Sequence, residues 1–209
     1  MQNDGDIKVK IIEEALRLFN SNGIRRTSID VVCNYLRISK KTFYSYFATK
    51  EQLIEEIMTF HIQEISQGYE KMMRGKNAIE CMLMMIKKTY KINESHNSIL
   101  RDDFEKYYPK LYSKFKSQFL TMFRLSFEQN LRQGIAEGFY RKELDIELLS
   151  AFQVFYTGSR TKNDFEARML NTFSRKRVLD FFNDVFIRTI VNDAGMKYFE
   201  ENYYNKIKN

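Results

Sequence analysis

Residues Ser39 to Lys50 combine the types of side chain with which protein surfaces bind nucleic acid. The segment reads Ser-Lys-Lys-Thr-Phe-Tyr-Ser-Tyr-Phe-Ala-Thr-Lys. Ammonium and hydroxyl groups of this kind reach phosphates and base edges when their helix lies in a DNA major groove. The segment also follows two shorter helical patterns, which is where the reading helix of a helix-turn-helix unit belongs. We therefore interpret it as a candidate DNA-reading helix.

Two helical patterns precede this segment and must position it. Apolar residues at helical spacing predict a first helix from Ile7 to Asn22, which Gly23 can end in the left-handed conformation. A second helix is predicted over residues 29–36, and either Thr27 or Ser28 can cap it. The two helices therefore provide the surface against which the candidate reading helix packs.

The reading helix itself is predicted to begin at Ser39, as its N-cap, and to run to about Phe47. Phe43 and Phe47 are four residues apart, so both should face the core. Residues 49–52 have the spacing of a capping box and open a fourth helix that reaches about Arg74. A helix of that length can link two regions of the chain.

The rest of the chain is also helical in pattern. Further helices are predicted over residues 77–92, 99–107, 110–135, 146–159 and 174–193, followed by an aromatic tail over 196–209. From Leu111 to Ile135 an apolar residue recurs at every fourth position, and such a row winds around a helix. We expect neighbours on several sides of that helix, with the row acting as core alone or as core and cavity wall.

The fold class predicted from these patterns is all-α. An N-terminal three-helix, helix-turn-helix domain is expected over residues 1–50. A larger helical bundle is expected over residues 51–209.

Composition narrows the class of protein further. The 209 residues are 44% hydrophobic, contain one proline and carry a net charge of +7. The first 50 residues hold nine Lys/Arg against five Asp/Glu, so basic character is concentrated around the candidate reading helix. No run of 18 apolar residues occurs, and we expect a soluble, cytoplasmic protein without a membrane partner.

Residues of the types used in catalysis or metal binding do not occur in a recognisable motif. Cys33 and Cys81 lack the spacing of a metal site, and His61 and His96 stand apart from other candidate ligands or nucleophiles. We therefore expect no metal, no cofactor and no enzymatic activity.

The N-terminal quarter resembles the tetracycline-repressor (TetR) family of bacterial transcription regulators. The matching residues are Thr27-Ser28-Ile29, Val32-Cys33, Ile38-Ser39-Lys40-Lys41-Thr42-Phe43-Tyr44, Phe47, Lys50 and Leu53. Residues 134–141 are similar to the turn before the family's eighth helix. Three residues depart from the family pattern. The family usually has a small Ala-Gly pair where this chain has Leu36-Arg37, and it often has glycine at the position of Lys41.

The resemblance implies specific contacts with DNA. Tyr44 would donate its hydroxyl to a phosphate, Thr42 would touch a phosphate or a thymine methyl, and Lys50 would meet a phosphate. The implied set of DNA-contacting residues is Thr27, Ser28, Ser39, Lys40, Lys41, Thr42, Tyr44, Tyr46 and Lys50.

The resemblance also implies a homodimer on a pseudo-palindromic, double-stranded DNA operator. Helices eight and nine would form the interface, and the wide apolar arcs of both helices favour this independently. The expected interface residues are Phe152, Tyr156, Phe182, Val185 and Phe186.

A ligand-responsive regulator, acting as a repressor, is the function that the resemblance implies. A small apolar or aromatic effector would release the protein from DNA. Apolar spacing alone assigns its pocket to Met82, Met85, Phe104, Tyr107, Phe119, Phe123, Phe152 and Phe155. The alternative is a constitutive DNA-binding or structural protein whose large domain only dimerises.

Overall fold

The computed structural model describes residues 4–94, 98–159 and 171–207. The helices in this part are α1 (Asp4–Asn22), α2 (Ile29–Leu36), α3 (Lys40–Tyr44), α4 (Lys50–Met73), α5 (Ala78–Glu94), α6 (Ser98–Tyr107), α7 (Pro109–Ala136), α8 (Ile146–Ser159), α9 (Arg175–Ile190) and α10 (Asp193–Ile207). No strand occurs among these residues, and the all-α prediction is confirmed.

The chain divides into two compact units. The first comprises Met1–Gly68 with His96–Phe119, and the second comprises Tyr69–Ser95 with Leu120–Asn209. The first unit thus includes residues from both sides of the predicted boundary at residue 50, and that functional division of the chain stays a prediction.

The first unit is organised around an apolar core that α1, α2, α3 and α4 share with α6 and α7. Its fully buried members, each at most 2% exposed, include Ile11, Leu18, Phe19, Phe43, Phe47, Leu53, Ile54 and Ile57. Phe104 of α6 and Phe115 of α7 complete this core. The predicted inward orientation of Phe43 and Phe47 is confirmed, since both have 0% exposure.

The helix ends of the first unit are capped as the sequence indicated. Gly23 follows α1 with a φ of 83°. The Ser28 side chain accepts from the backbone N–H of Val31 at the start of α2, and Ser39 does the same for Thr42 at the start of α3. Before α4, Thr49 Oγ1 accepts from the backbone N–H of Gln52. These caps satisfy N–H groups that have no partner within their helices.

Three predicted helix ends differ by three residues from those in the structure. Helix α1 begins earlier, at Asp4, and α9 ends earlier, at Ile190. Helix α3 ends at Tyr44 and not at Phe47, because the Tyr46 N–H donates to the carbonyl of Phe43, three residues back. A bond over three residues tightens the last turn out of α-helical geometry.

A second apolar core lies in the second unit and contains residues of α5, α7, α9 and α10. Buried polar groups are paired within it. The Tyr140 hydroxyl donates to the carbonyl of Ala78 at 3.1 Å and lies 3.1 Å from Asn130 Oδ1, while Asn130 Nδ2 donates to the same carbonyl at 2.9 Å. Burial raises the pKa of Tyr140 far above its usual range, so its hydroxyl remains a donor. The arrangement ties the start of α5 to α7 and to the segment after it.

The row of apolar residues at every fourth position of α7 contributes to both cores. Phe115 packs in the first core, whereas Phe127 and Leu131 pack in the second. Phe119 and Phe123 in the middle of the row are half-buried. The winding row therefore supplies each unit with its own aromatic side chains.

Two glycines within helices give a matched test of the packing in the second unit. We expect Gly134→Ala to lower the free energy of unfolding by about 1–3 kcal/mol, because a methyl group there overpacks the core. Its Cβ would lie 2.1 Å from the buried ring of Tyr140. The control is Gly68→Ala in α4, where a Cβ meets nothing within 4 Å. That change should raise stability by about 0.5–1 kcal/mol. Urea denaturation followed by circular dichroism measures both effects, and a stabilising Gly134→Ala would contradict the packing described.

Candidate nucleic-acid interface

The outer face of α3 is polar and basic. Lys40, Lys41 and Tyr44 are exposed, while Phe43 between them is buried. The Tyr44 side chain is 50% exposed, and its ring contacts the Phe43 ring edge-on at 5.6 Å. Its hydroxyl makes no hydrogen bond with the described part of the chain, so a donor is available on this face.

Two hydroxyl groups lie together at the start of α3. The Ser39 and Thr42 hydroxyl oxygens are 2.8 Å apart, and Ser39 Oγ also accepts from the Thr42 N–H at 3.0 Å. Thr42 is half-buried as a result, whereas Ser39 is exposed. Tyr46, beyond the helix, is half-buried and packs against the first core. Of the predicted hydroxyl contacts in and beside α3, Ser39 and Tyr44 are thus exposed, whereas Thr42 and Tyr46 are half-buried.

The two adjacent lysines of α3 differ in their electrostatic surroundings. Lys40 Nζ lies 2.8 Å from Asp30 Oδ1 in the first turn of α2, and this hydrogen bond raises the pKa of Lys40. Lys41 makes no ion pair with any described residue. Sequence reasoning missed Asp30, although an acidic residue in the first turn of a helix is a recognisable signal.

Thr27 was expected to contact a phosphate, but in the structure it is buried. Its side chain has 0% exposure, and Thr27 Oγ1 donates to the Gly23 carbonyl at 2.9 Å. Ser28 is the exposed residue and caps α2. Thr27 therefore closes the turn between α1 and α2 and does not belong to the polar surface.

Lys50 is also turned inward, which the sequence did not predict. Its Nζ donates to the Ile24 carbonyl at 2.5 Å and lies 5.7 Å from the centre of the Phe19 ring. Burial lowers the pKa of Lys50, and the carboxylate of Asp103 acts in the opposite direction. The ammonium has three N–H groups, so a phosphate contact by Lys50 would have to use one that does not donate to the Ile24 carbonyl.

Helix α6 reaches the same turn between α1 and α2. The backbone N–H of Arg25 donates to Asp103 Oδ2 at 3.0 Å. The Arg25 guanidinium donates to the Tyr107 hydroxyl at 2.8 Å and lies over its ring, 5.2 Å from the centre. The residues between α1 and α2 thus receive polar contacts from the beginning of α4 and from α6.

The residues predicted to line an effector pocket are distributed over the two units. Phe104, Tyr107 and Phe119 belong to the first, and the other five belong to the second. Met82 and Met85 are buried in the second core. Phe152 and Phe155, by contrast, are 54% and 66% exposed on α8.

The predicted dimer-interface residues lie on α8 and α9 of the second unit. Phe152 and Val185 are exposed, and Phe182 and Phe186 are half-buried. The side chain of Tyr156 lies outside the described part of the structure. Leu148 and Phe181 are exposed as well, at 66% and 58%, and sequence reasoning did not assign them. Leu148 lies four residues before Phe152, and Phe181 lies four residues before Val185. This spacing could have indicated that each pair shares one helical face.

No described helix is both long enough and apolar enough to span a lipid bilayer.

Comparisons with known proteins match the N-terminal part of the chain to a family of regulators. Residues 11–57 match the family model described as bacterial regulatory proteins, tetR family. The chain is 34% identical over 68 residues to the uncharacterized HTH-type transcriptional regulator YhgD of Bacillus subtilis (strain 168). It is 39% identical over 51 residues to a second such regulator of that strain, YuxN.

These matches cover only part of each chain. The match to YhgD spans 32% of this chain and 36% of the relative, and the match to YuxN spans 24% and 18%. A crystal structure of a transcriptional regulator from Cytophaga hutchinsonii ATCC 33406 has a TM-score of 0.69 and covers 90% of this chain and 100% of its own. At 18% identity, that likeness concerns the fold.

The buried hydroxyl of Thr27 can be tested against an exposed counterpart. Thr27→Val should lower the free energy of unfolding by about 1–3 kcal/mol, because it removes the hydrogen bond to a carbonyl in a buried turn. Thr59→Val on α4 is the control, since Thr59 is exposed and donates to the carbonyl of Glu55, also four residues back. We expect a change of less than about 0.5 kcal/mol there. Equal urea midpoints for the two variants would contradict the role assigned to Thr27.

Proposed function

Because the chain belongs to the TetR family of DNA-binding transcriptional regulators, we propose that it binds a pseudo-palindromic operator as a homodimer and is released by a small effector. The protein acts as a repressor and has no catalytic role. The observation that carries the proposal is the capped helix α3 with the turn that follows it, a segment that buries Phe43 and Phe47 and exposes Lys41 and Tyr44. A helix fixed on one side and polar on the other suits the DNA major groove.

The DNA contacts are proposed for the exposed members of the predicted set. Lys41 meets a phosphate as an unpaired cation, and Tyr44 donates its hydroxyl to a second phosphate. Ser28 and Ser39 lie at the starts of α2 and α3, where free N–H groups and the helix dipole favour an anion. Lys40 contributes less, because the Asp30 carboxylate already compensates its charge.

Homodimer formation is supported by the apolar surfaces of α8 and α9. Leu148, Phe152 and Phe155 occur at the spacing of one helical face, and all three are more than half exposed. Phe181 and Val185 form a similar pair on α9. Exposed aromatic and aliphatic groups in this density mark an interaction surface. A second copy of the chain covers this surface and supplies the second reading helix for a two-fold operator.

The response to an effector is proposed to act through α4 and α6. Lys50 of α4 and Asp103 and Tyr107 of α6 hold the turn between α1 and α2. A ligand that favours another position of these helices changes the spacing of the two reading helices. It shifts that equilibrium only by its difference in affinity between the two states. The buried, flexible side chains of Met82 and Met85 favour an apolar or aromatic effector in the second unit.

In vitro selection of bound sequences from a random DNA pool tests the proposed operator. We expect an inverted repeat whose half-site centres are about 10 base pairs, or a multiple of that, apart. Recovery of a single, asymmetric site would contradict the dimeric mode of binding.

A thermal-shift screen of apolar compounds then tests the effector. A compound that binds without releasing the operator would favour a constitutive DNA-binding protein.

The Tyr44 hydroxyl can be tested with a matched pair of tyrosines. Tyr44→Phe should weaken operator binding by about 1–2 kcal/mol, because it deletes one hydrogen bond to a charged phosphate. The slope of log affinity against log salt should stay unchanged, since a phenol carries no charge. Tyr35→Phe is the control, because Tyr35 is 62% exposed on α2 and lies under the Arg17 guanidinium. Fluorescence anisotropy measures both, and equal affinities of Tyr44→Phe and the unchanged protein would remove Tyr44 from the contact set.

The proposed interface can be tested by placing a charge on α8. Phe155→Glu should convert a dimer into a monomer of 25.1 kDa, because an ionised carboxylate would be buried without a partner. Leu125→Glu on α7 is the control, since Leu125 is 55% exposed and lies outside α8 and α9. Light scattering after gel filtration measures the mass. A dimeric Phe155→Glu variant would contradict the interface.

A further inference from the structure

Arg37 has an unusual backbone conformation between α2 and α3. Its φ is 54° and its ψ is 40°, which is left-handed helical geometry. Among the described residues it is the one non-glycine residue with a positive φ. A side chain with a Cβ is disfavoured in this region, and glycine adopts it readily.

The hydrogen bonds of the turn explain why this geometry is required. The N–H of Ile38 donates to the Cys33 carbonyl at 3.0 Å, and the N–H of Arg37 donates to the Asn34 carbonyl at 3.2 Å. These two bonds form a Schellman motif, in which the left-handed position is usually glycine. Ile38 packs against the first core, which completes the motif with an apolar contact. The turn between the two helices therefore keeps its geometry although an arginine occupies the position.

The side chain of Arg37 is available for a partner. It is exposed and forms no ion pair with any described residue. It stands two residues before Ser39, the cap of α3, whereas the neighbouring ammonium of Lys40 is held by Asp30. An unfavourable backbone at a position with an uncommitted cation is the pattern expected of a residue kept for binding.

We propose that Arg37 is a further DNA-binding residue and that its guanidinium contacts a backbone phosphate beside α3. The proposal rests on the proposed function and adds to it a contact that none of the predicted residues supplies. Guanidinium groups donate two parallel hydrogen bonds to phosphate, and these are stronger than neutral hydrogen bonds. Because the phosphate is common to all sequences, the contact raises affinity for operator and unrelated DNA alike.

Replacement of Arg37 by glycine separates strain from binding. Arg37→Gly should melt at the same or a higher temperature, because glycine fits the left-handed position. Its affinity for the selected operator should fall about tenfold. The magnitude of the slope of log affinity against log salt should decrease by about one, and unrelated DNA should lose affinity to a similar degree.

Two further variants complete the test. Arg37→Lys keeps the charge, so the slope should return to the original value while affinity recovers in part. Arg132→Gln removes an exposed charge from α7 in the second unit and should leave both affinity and slope unchanged.

The possible results separate the two proposals. If Arg37→Gly binds operator with unchanged affinity and slope, Arg37 is only a turn residue. If its loss depends on one base pair of the operator, the contact is to a base and the phosphate assignment is wrong. If the unchanged protein binds no DNA at all, the proposed function fails, and the role of Arg37 fails with it.

Discussion

The position of the reading helix depends on the burial of Phe43 and Phe47. Helix α3 has only five residues, which is too short to be stable without tertiary contacts. Both aromatic side chains are fully buried, with ring centres 5.6 Å apart, in the core shared with α1, α2 and α4. Each contributes about 1.5–3 kcal/mol by leaving water. The outward direction of Lys41 and Tyr44 therefore follows from the inward direction of the two phenylalanines.

The end of α1 imposes a second constraint on the same unit. Gly23 and Ile24 follow the last residue of α1 and are buried, and the carbonyl groups of a buried turn need donors from elsewhere in the chain. Here the Thr27 hydroxyl donates to the Gly23 carbonyl, and the Lys50 ammonium donates to the Ile24 carbonyl. The hydrogen bond to the Ile24 carbonyl accounts for the inward position of Lys50, although burial lowers the pKa of this lysine. The first residue of α4 is thus tied to the end of α1, so movement of α4 must disturb the unit that presents α3.

The sequence was sufficient for features that depend on local chemistry. Ser28 and Ser39 were identifiable as caps, and the spacing of Phe43 and Phe47 indicated the buried face of α3, because each depends on residues within one or two turns. Thr27 donates to a carbonyl only four residues back, but the sequence did not show that this turn is buried. The inward direction of Lys50 was missed because its partner, the Ile24 carbonyl, is 26 residues away and is brought to it by the tertiary fold. The ion pair of Lys40 with Asp30 was missed for the same reason, because it joins two helices.

The apolar periodicity of α8 predicted which side chains share a face but not what covers that face. It correctly marked Phe152 and Phe155 as apolar face residues, but it could not say whether the same chain or a second copy covers them. Their exposures of 54% and 66% decide against enclosure by the described residues of this chain. Leaving such groups in water favours association, so the two side chains fit the proposed interface better than the wall of an effector pocket. The proposed effector pocket would then be formed by residues such as Met82 and Met85, which already pack in the second core. Binding there would rearrange the core itself, and this is how a small molecule could change the geometry of a helical unit.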